Sequence, residues 1–99
     1  MARFQVFVNP DTAGYLLDVQ SDFVDVAGTR VVVPLLPVAV TPPAISGLLP
    51  VFVVGDEKFV MATHLISAVP SDVLKTLSGD LSPHRDEITA ALDMLFQGF

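Results

Sequence analysis

The sequence contains no cysteine, and it has only 5 lysines and arginines against 11 aspartates and glutamates, a formal net charge of −6. The absence of cysteine excludes disulfides and thiolate metal sites. Affinity for nucleic acid comes mostly from neutralised phosphates, so direct binding to DNA or RNA is disfavoured. A basic patch on a larger protein suits this chain better as a partner. The basic residues stand singly along the chain and form no basic stripe: Arg3, Arg30, Lys58, Lys75 and Arg85.

The segment from Val31 to Val54 carries no charge, and the whole chain has a mean hydropathy of +0.63. A run of this length raises the possibility of a membrane span. Prolines at five positions in the run argue against it, because each costs a helix about 3 kcal/mol. The segment is therefore interpreted as buried strands joined by proline-rich turns. Surplus apolar residues would also suit a subunit interface.

The start of the chain does not read as a signal segment, because Arg3 and Gln5 interrupt it and no small-residue cleavage site follows an apolar run. A cytoplasmic protein without a membrane span is expected. The length of 99 residues is that of one domain, so residues 1–99 are predicted to fold as a single unit.

Alternation and turn residues predict an antiparallel, strand-rich chain. The segments 62–68 (strand or loop) and 72–77 (one or two helical turns) stay open. Pro34 suggests an edge position or a bulge within its strand. The predicted strands are 3–8, 15–20 and 30–36, with a hairpin of 49–54 and 58–62 around Gly55-Asp56.

The end of the sequence predicts one amphipathic helix. Ser82 is a favourable N-cap, Pro83 fits the first helical position, and Gly98 ends the helix. Strands followed by one helix imply an α+β, mostly β or barrel-like domain. The apolar stripe at spacings of three and four consists of Ile88, Ala91, Leu92, Leu95 and Phe96.

Residues that would specify catalysis are scarce. His64 lies among apolar residues and is interpreted as a partly buried, hydrogen-bonded side chain, and His84 as a solvated one. Asp56 and Glu57 are adjacent carboxylates on a hairpin turn and are expected to face solvent. No glycine-rich phosphate loop and no nucleophile elbow occurs. The sequence therefore predicts no catalytic residues, no metal ligands and no cofactor.

The segment Leu95-Phe96-Gln97-Gly98-Phe99 is unusual, because most domains end in polar, frayed residues. Phe99 either folds back onto the core or a dimer interface, or it belongs to a tip that binds a partner. The first reading is favoured on physical grounds alone.

Several segments in order resemble the CcdB family of plasmid and chromosomal toxins, while residues 36–47 match poorly. The combination is specific through its order, its spacing and the shared length. The matching segments include Arg3-Phe4-Gln5-Val6, Leu17-Asp18-Val19-Gln20-Ser21-Asp22, Arg30-Val31-Val32-Val33-Pro34-Leu35, Val54-Gly55-Asp56-Glu57, Ser67-Ala68-Val69-Pro70, Asp80-Leu81-Ser82 and Met94-Leu95-Phe96-Gln97-Gly98-Phe99.

The resemblance implies an SH3-like antiparallel β-barrel with a small extra sheet and a C-terminal helix. It implies a homodimer that binds the A subunit of DNA gyrase and traps the enzyme on cleaved DNA. A cognate CcdA-like antitoxin with a disordered tail would neutralise it. Such a protein is a binding toxin and not an enzyme.

Carried over by position, the resemblance implies a gyrase-facing set at two places in the chain. The family pattern at the tip is Trp-Gly-Ile, whereas this chain has Gln97, Gly98 and Phe99. Glutamine offers no ring face for a guanidinium, so either binding is weak or Phe99 supplies the aromatic anchor. The implied set is Ser21, Phe23, Val24, Asp93, Gln97, Gly98 and Phe99.

Two alternatives remain open at this point. Related barrel toxins cleave RNA, for which Arg30, Arg85 and His84 are the candidate residues, although the net charge of −6 disfavours an RNA substrate. The other alternative is a degenerate homologue that keeps the fold and the antitoxin but has lost most or all gyrase poisoning.

Overall fold

The computed structural model describes residues 2–24, 28–40 and 47–98. This part of the chain contains short 3₁₀ turns at Thr63–Leu65, Ser71–Val73 and Ser82–His84. Its regular elements are β1 (Gln5–Val8), β2 (Tyr15–Asp18), β3 (Thr29–Pro37), β4 (Val51–Val54), β5 (Glu57–Met61), β6 (Ser67–Pro70), β7 (Leu77–Asp80) and α1 (Arg85–Gln97).

The strands form one curled antiparallel sheet that makes a half-barrel, with the helix at the C-terminus. The order is β4-β5-β3-β2-β1-β7, and β6 pairs with β3. The long strand β3 organises the sheet, because its start pairs with β6 and its end with β5, while its other edge pairs with β2. The mostly β fold with one terminal helix confirms the prediction.

The core lies between the inner face of the sheet and α1. Strand β4 alternates exposed and buried residues, as expected for a strand with one face on the core. Ile88 and Ala91 of α1 are fully buried, and Leu92 packs against the same cluster. Burying one such aliphatic side chain stabilises the fold by about 1.5–3 kcal/mol. The main strand contributions are Val6, Leu17, Val33, Leu35, Phe52, Phe59 and Met61.

The helix begins differently from the prediction. Ser82 starts a 3₁₀ turn, α1 itself begins at Arg85, and neither turn nor helix has a side-chain cap bond. The carboxylate of Asp80 accepts the Ser82 N–H at 2.8 Å, an Asx turn that sets the chain direction before the helix. The predicted Ser82 N-cap is therefore wrong. The predicted end is confirmed, since Gly98 has φ 80° and donates its N–H to Met94 O at 2.9 Å.

Two side-chain predictions are wrong. Phe96 belongs to the predicted apolar stripe but is 71% exposed. His64 is exposed on its 3₁₀ turn and not partly buried. The predictions for His84, Asp56 and Glu57 are confirmed, as all three side chains face solvent.

The structure also shows the conformation of the two segments whose secondary structure the sequence left undecided, and the position of Pro34. Residues 62–68 contain a 3₁₀ turn and the start of β6. Residues 72–77 contain the end of a single short 3₁₀ turn and the first residue of β7. The sequence did not predict strand β7. The predicted edge position of Pro34 is wrong, because β3 pairs with β2 on one side and with β5 and β6 on the other. Pro34 lies at the break between the β6 and β5 partners, where its missing N–H leaves no gap in those two ladders. Within the described ranges, no helix is both long enough and apolar enough to cross a membrane.

Candidate functional site

An open groove of about 620 Å³ lies between the connection that follows β2 and the outer face of α1. Arg3 and Phe4 lie at its floor, and Ser21, Asp22 and Phe23 form one wall. The opposite wall comes from the helix and the turn before it. Its residues recur at helical spacings of three and four on one face of α1: Ser82, Arg85, Asp86, Thr89, Ala90 and Asp93.

The loop 20–24 is fixed by hydrogen bonds. The backbone N–H of Phe23 donates to Ser21 Oγ at 3.2 Å, and that of Val24 donates to Ser21 O at 3.0 Å. The Arg3 N–H donates to Asp22 Oδ1 at 2.9 Å, which ties the loop to the N-terminal segment. The loop therefore has a defined shape, although the side chains of Asp22, Phe23 and Val24 are exposed.

Two of these exposed side chains are apolar. Phe23 is 100% exposed and Val24 is 47% exposed. On the helix, Phe96 lies one turn beyond Asp93 and is 71% exposed. Single exposed apolar residues are common on any protein. Phe23 lines the groove and Val24 follows it on the same loop, so this wall presents adjoining apolar surface of the kind that a partner covers.

The groove has a mixed charge with a negative surplus. Three carboxylates line it (Asp22, Asp86 and Asp93) against two guanidinium groups. The Arg3 guanidinium lies over the Phe4 ring at 4.6 Å, and its Nε is buried without a hydrogen-bond partner among the residues that the structure describes. Arg85 Nε donates to Ser82 O at 3.0 Å, so this cation is directed back to its own turn.

Beneath the loop lies a buried ion pair. Arg30 Nε donates to Asp18 Oδ2 at 2.9 Å, and its Nη2 donates to Asp18 Oδ1 at 3.0 Å. The side chain of Asp18 is 0% exposed and that of Arg30 is 7% exposed. A bidentate fork of this kind is strong and directional. The pair joins the end of β2 to the start of β3, the two strands that the loop connects.

The two histidines lie apart, His64 on its 3₁₀ turn and His84 just before α1. His84 Nδ1 lies 3.7 Å from Glu87 Oε1, and its ring centroid lies 5.1 Å from that of Phe52. In residues 2–24, 28–40 and 47–98, no group of three or more histidine or carboxylate side chains is placed to hold a metal ion.

Comparison with known proteins identifies the fold and the family. The family model described as CcdB protein matches residues 3–98. This chain belongs to the CcdB family. Membership makes it a toxin component of a toxin–antitoxin system.

A solved structure shares the same fold. It is an endoribonuclease in complex with its cognate antitoxin from a mycobacterial species, with a TM-score of 0.78 and 22% sequence identity. The match covers 97% of this chain and 94% of that one. The CcdB family and an endoribonuclease thus share one architecture, so the architecture alone does not decide the target.

The structure brings together residues that the CcdB resemblance implied as gyrase-facing. Ser21 and Phe23 lie across the groove from Asp93, although they are far apart in sequence. Val24 follows on the same loop. Gln97 and Gly98 are exposed at the end of α1, and Gln97 continues the face that carries Asp93. Phe99 lies outside the described residues.

The candidate residues for RNA cleavage do not meet in an open cationic site. Arg30 is 6% exposed and its guanidinium is held by Asp18. Arg85 and His84 are exposed side chains at the start of α1. A phosphate in the groove would meet Arg30 only if the buried pair opened.

The residue-by-residue reading missed the contribution of Arg3, Thr89 and Ala90 to the groove, and it missed the Asp18–Arg30 pair. The pair left a signal in the sequence. Asp18 lies inside an apolar strand and Arg30 begins another. Charged residues are almost never fully buried unless they are paired, so two opposite charges in neighbouring apolar strands predict such a pair.

Proposed function

We propose that this CcdB family protein binds the A subunit of DNA gyrase and traps the enzyme on cleaved DNA. One observation supports this target most strongly. Ser21, Phe23 and Asp93, carried over from the family as gyrase-facing, lie on the two walls of a single exposed groove. A structure that scattered them, or buried Phe23, would have removed this support.

The surface suits a protein partner with a basic rim around an apolar slot. Phe23 offers a whole ring, and aromatic side chains are enriched among the residues that dominate binding energy. Asp22 on the same wall and Asp93 on the opposite wall would pair with lysines or arginines of the partner. Complementary charge of this kind mainly raises the association rate and selects the partner.

The proposed action needs no chemistry by the toxin. Binding one conformation of gyrase more tightly than another shifts the equilibrium by the ratio of the two affinities. A difference of about 1.4 kcal/mol shifts it tenfold. The toxin would thus hold the cleaved state and slow religation without making or breaking a bond.

The test is a gyrase cleavage assay with purified protein, supercoiled plasmid and ATP. Accumulation of linear DNA after denaturation, together with a complex with the isolated A subunit at micromolar concentration, supports the proposal. If neither is found for a folded protein, the gyrase target is wrong.

Three further features belong to the same proposal. The protein acts in the cytoplasm as a homodimer, whose terminal helices present a joint tip, and a CcdA-like antitoxin neutralises it through a disordered tail. The exposed side chain of Phe96 on α1 supports this, because a second copy that packs against the helix would bury it. Light scattering would give twice the 10.6 kDa chain mass for a dimer and the single mass otherwise.

RNA cleavage is the second candidate function, because the chain shares its fold with an endoribonuclease. The buried, paired state of Arg30 and the net charge of −6 count against it. Incubation with mixed RNA is the test. Sequence-selective cuts that disappear on changing Arg85 or His84 would favour this function over gyrase binding.

A further inference from the structure

The loop that carries Phe23 is held from beneath by a buried network of side chains. Gln20 lies at the start of the loop and is 9% exposed. Its Nε2 donates to Val24 O at the other end of the loop, and its Oε1 accepts the Val31 N–H at 3.1 Å. One side chain therefore joins both ends of the loop to β3.

The ion pair Asp18–Arg30 completes this network. Asp18 Oδ1 accepts the Gln20 N–H at 3.1 Å, and Arg30 Nη2 donates to Gln20 O at 3.3 Å. The backbone of Gln20 is thus held on both sides by the pair. Arg30 Nη2 also lies 3.8 Å from Asp22 Oδ1, which is on the exposed part of the loop.

The pattern is unusual because the buried groups are polar while the exposed tip is aromatic. A buried polar network whose hydrogen-bonding groups are all satisfied makes the segment that it contacts more rigid. Phe23 is 100% exposed, so within residues 2–24, 28–40 and 47–98 no apolar side chain packs on it to hold it. The conformation of this loop therefore depends on polar contacts below it.

We propose that Gln20, held in place by the Asp18–Arg30 pair, is a positioning residue that sets the 20–24 loop in its binding conformation before the target arrives. This inference rests on the proposed function, since it takes the loop to be part of the target-binding surface. A loop that is ordered in advance loses less entropy on binding, which raises affinity without adding a contact.

The variant that tests it is Gln20→Met, which has a similar length but neither donates to Val24 O nor accepts from Val31 N–H. Val60→Ala is the matched control. Val60 is fully buried in β5 and faces Leu36 at the opposite end of β3, so its loss destabilises the fold without touching the loop. Both variants are compared at conditions where their unfolded fractions are equal.

Two readouts separate positioning from general destabilisation. Amide hydrogen exchange by NMR is expected to accelerate for Phe23 and Val24 in Gln20→Met and to stay at the wild-type rate there in Val60→Ala. Growth arrest on expression and affinity for the gyrase A subunit are expected to weaken about tenfold in Gln20→Met only, as expected when two hydrogen bonds of modest net strength are lost.

Equal exchange of the loop amides in wild-type and Gln20→Met, or equal loss of toxicity in both variants, overturns the positioning role. Whether gyrase is the target is decided by a separate measurement on the wild-type protein. If the wild type arrests growth without binding the A subunit, the target is wrong. The comparison of growth arrest between the two variants then still decides the role of Gln20.

Discussion

Replacing Phe23 by alanine is expected to abolish most target binding while leaving the fold intact. The ring is 100% exposed in the free protein, so its removal costs no core packing. Substitutions at such positions change the free energy of unfolding by about 0.5 kcal/mol or less. The same ring has about 150–250 Å² to bury against a partner.

The size of the expected loss follows from that area. At about 25 cal/mol per Å², complete burial is worth about 4–6 kcal/mol before ordering costs, and truncation of a central aromatic residue typically costs about 2 kcal/mol or more. Affinity for the gyrase A subunit should therefore fall at least about 30-fold. Titration calorimetry with the A subunit measures the affinity, and urea unfolding measures the stability.

The matched control for this variant is Leu77→Ala. Leu77 is also a large exposed apolar residue, 56% exposed, but it lies on the edge strand β7 and does not line the groove. It should bind as the wild type does. If Phe23→Ala binds within twofold of the wild type, the loop does not carry the binding energy and the proposed surface is wrong.

Three more predictions concern the tip, the buried pair and a turn. Gln97→Trp should raise gyrase affinity by about 0.5–2 kcal/mol if a guanidinium faces the helix end, measured as a lower toxic dose, and an unchanged dose would contradict that placement. Arg30→Met leaves Asp18 buried without its partner and should lower the free energy of unfolding by about 3–5 kcal/mol in urea, whereas Asp18→Leu with Arg30→Met should recover much of it. A double variant no more stable than the single one would contradict the pairing argument. Gly14→Ala should lower the melting temperature more than Gly28→Ala. Both glycines have positive φ, but only at Gly14 would an added Cβ meet a backbone atom, Leu35 O at 2.2 Å. Equal decreases in melting temperature would show that the backbone around Gly14 shifts to make room for the methyl group.

Local patterns in the sequence were sufficient for most of the fold. The β-branched run that becomes β3 and the Gly55-Asp56 turn predicted their strands because alternation and turn chemistry are local properties. Strand β7 was missed because Leu77-Ser78-Gly79-Asp80 has little alternation and low strand propensity. It forms because β1 offers a free edge, which is a property of the assembled sheet.

The helix start shows the same limit. Ser82 and Pro83 carry the usual signals of a first helical turn, yet the Asp80 carboxylate satisfies the Ser82 N–H and a 3₁₀ turn precedes α1. Phe96 fits the apolar stripe by spacing alone. Whether a stripe position is covered depends on how the helix packs in the assembled fold, which the spacing does not contain.

The family resemblance, and not local pattern, is what names Ser21, Phe23 and Asp93, which the structure places at one groove. No periodicity places Ser21 across a groove from Asp93, since that depends on how the helix returns over the sheet. The role of Gln20 beneath the loop could not be predicted either, because no sequence pattern marks this residue. Its role is visible only in its bonds to Val24 O and Val31 N–H.

Hydrogen–deuterium exchange of the protein alone and in a mixture with the gyrase A subunit tests the central claim most directly. The account predicts that protection appears in residues 20–24 and along α1 from Asp86 to Gln97, and is absent from the β4–β5 hairpin. Protection confined to the hairpin, or none at concentrations that saturate binding, would contradict the claim that this groove is the docking surface.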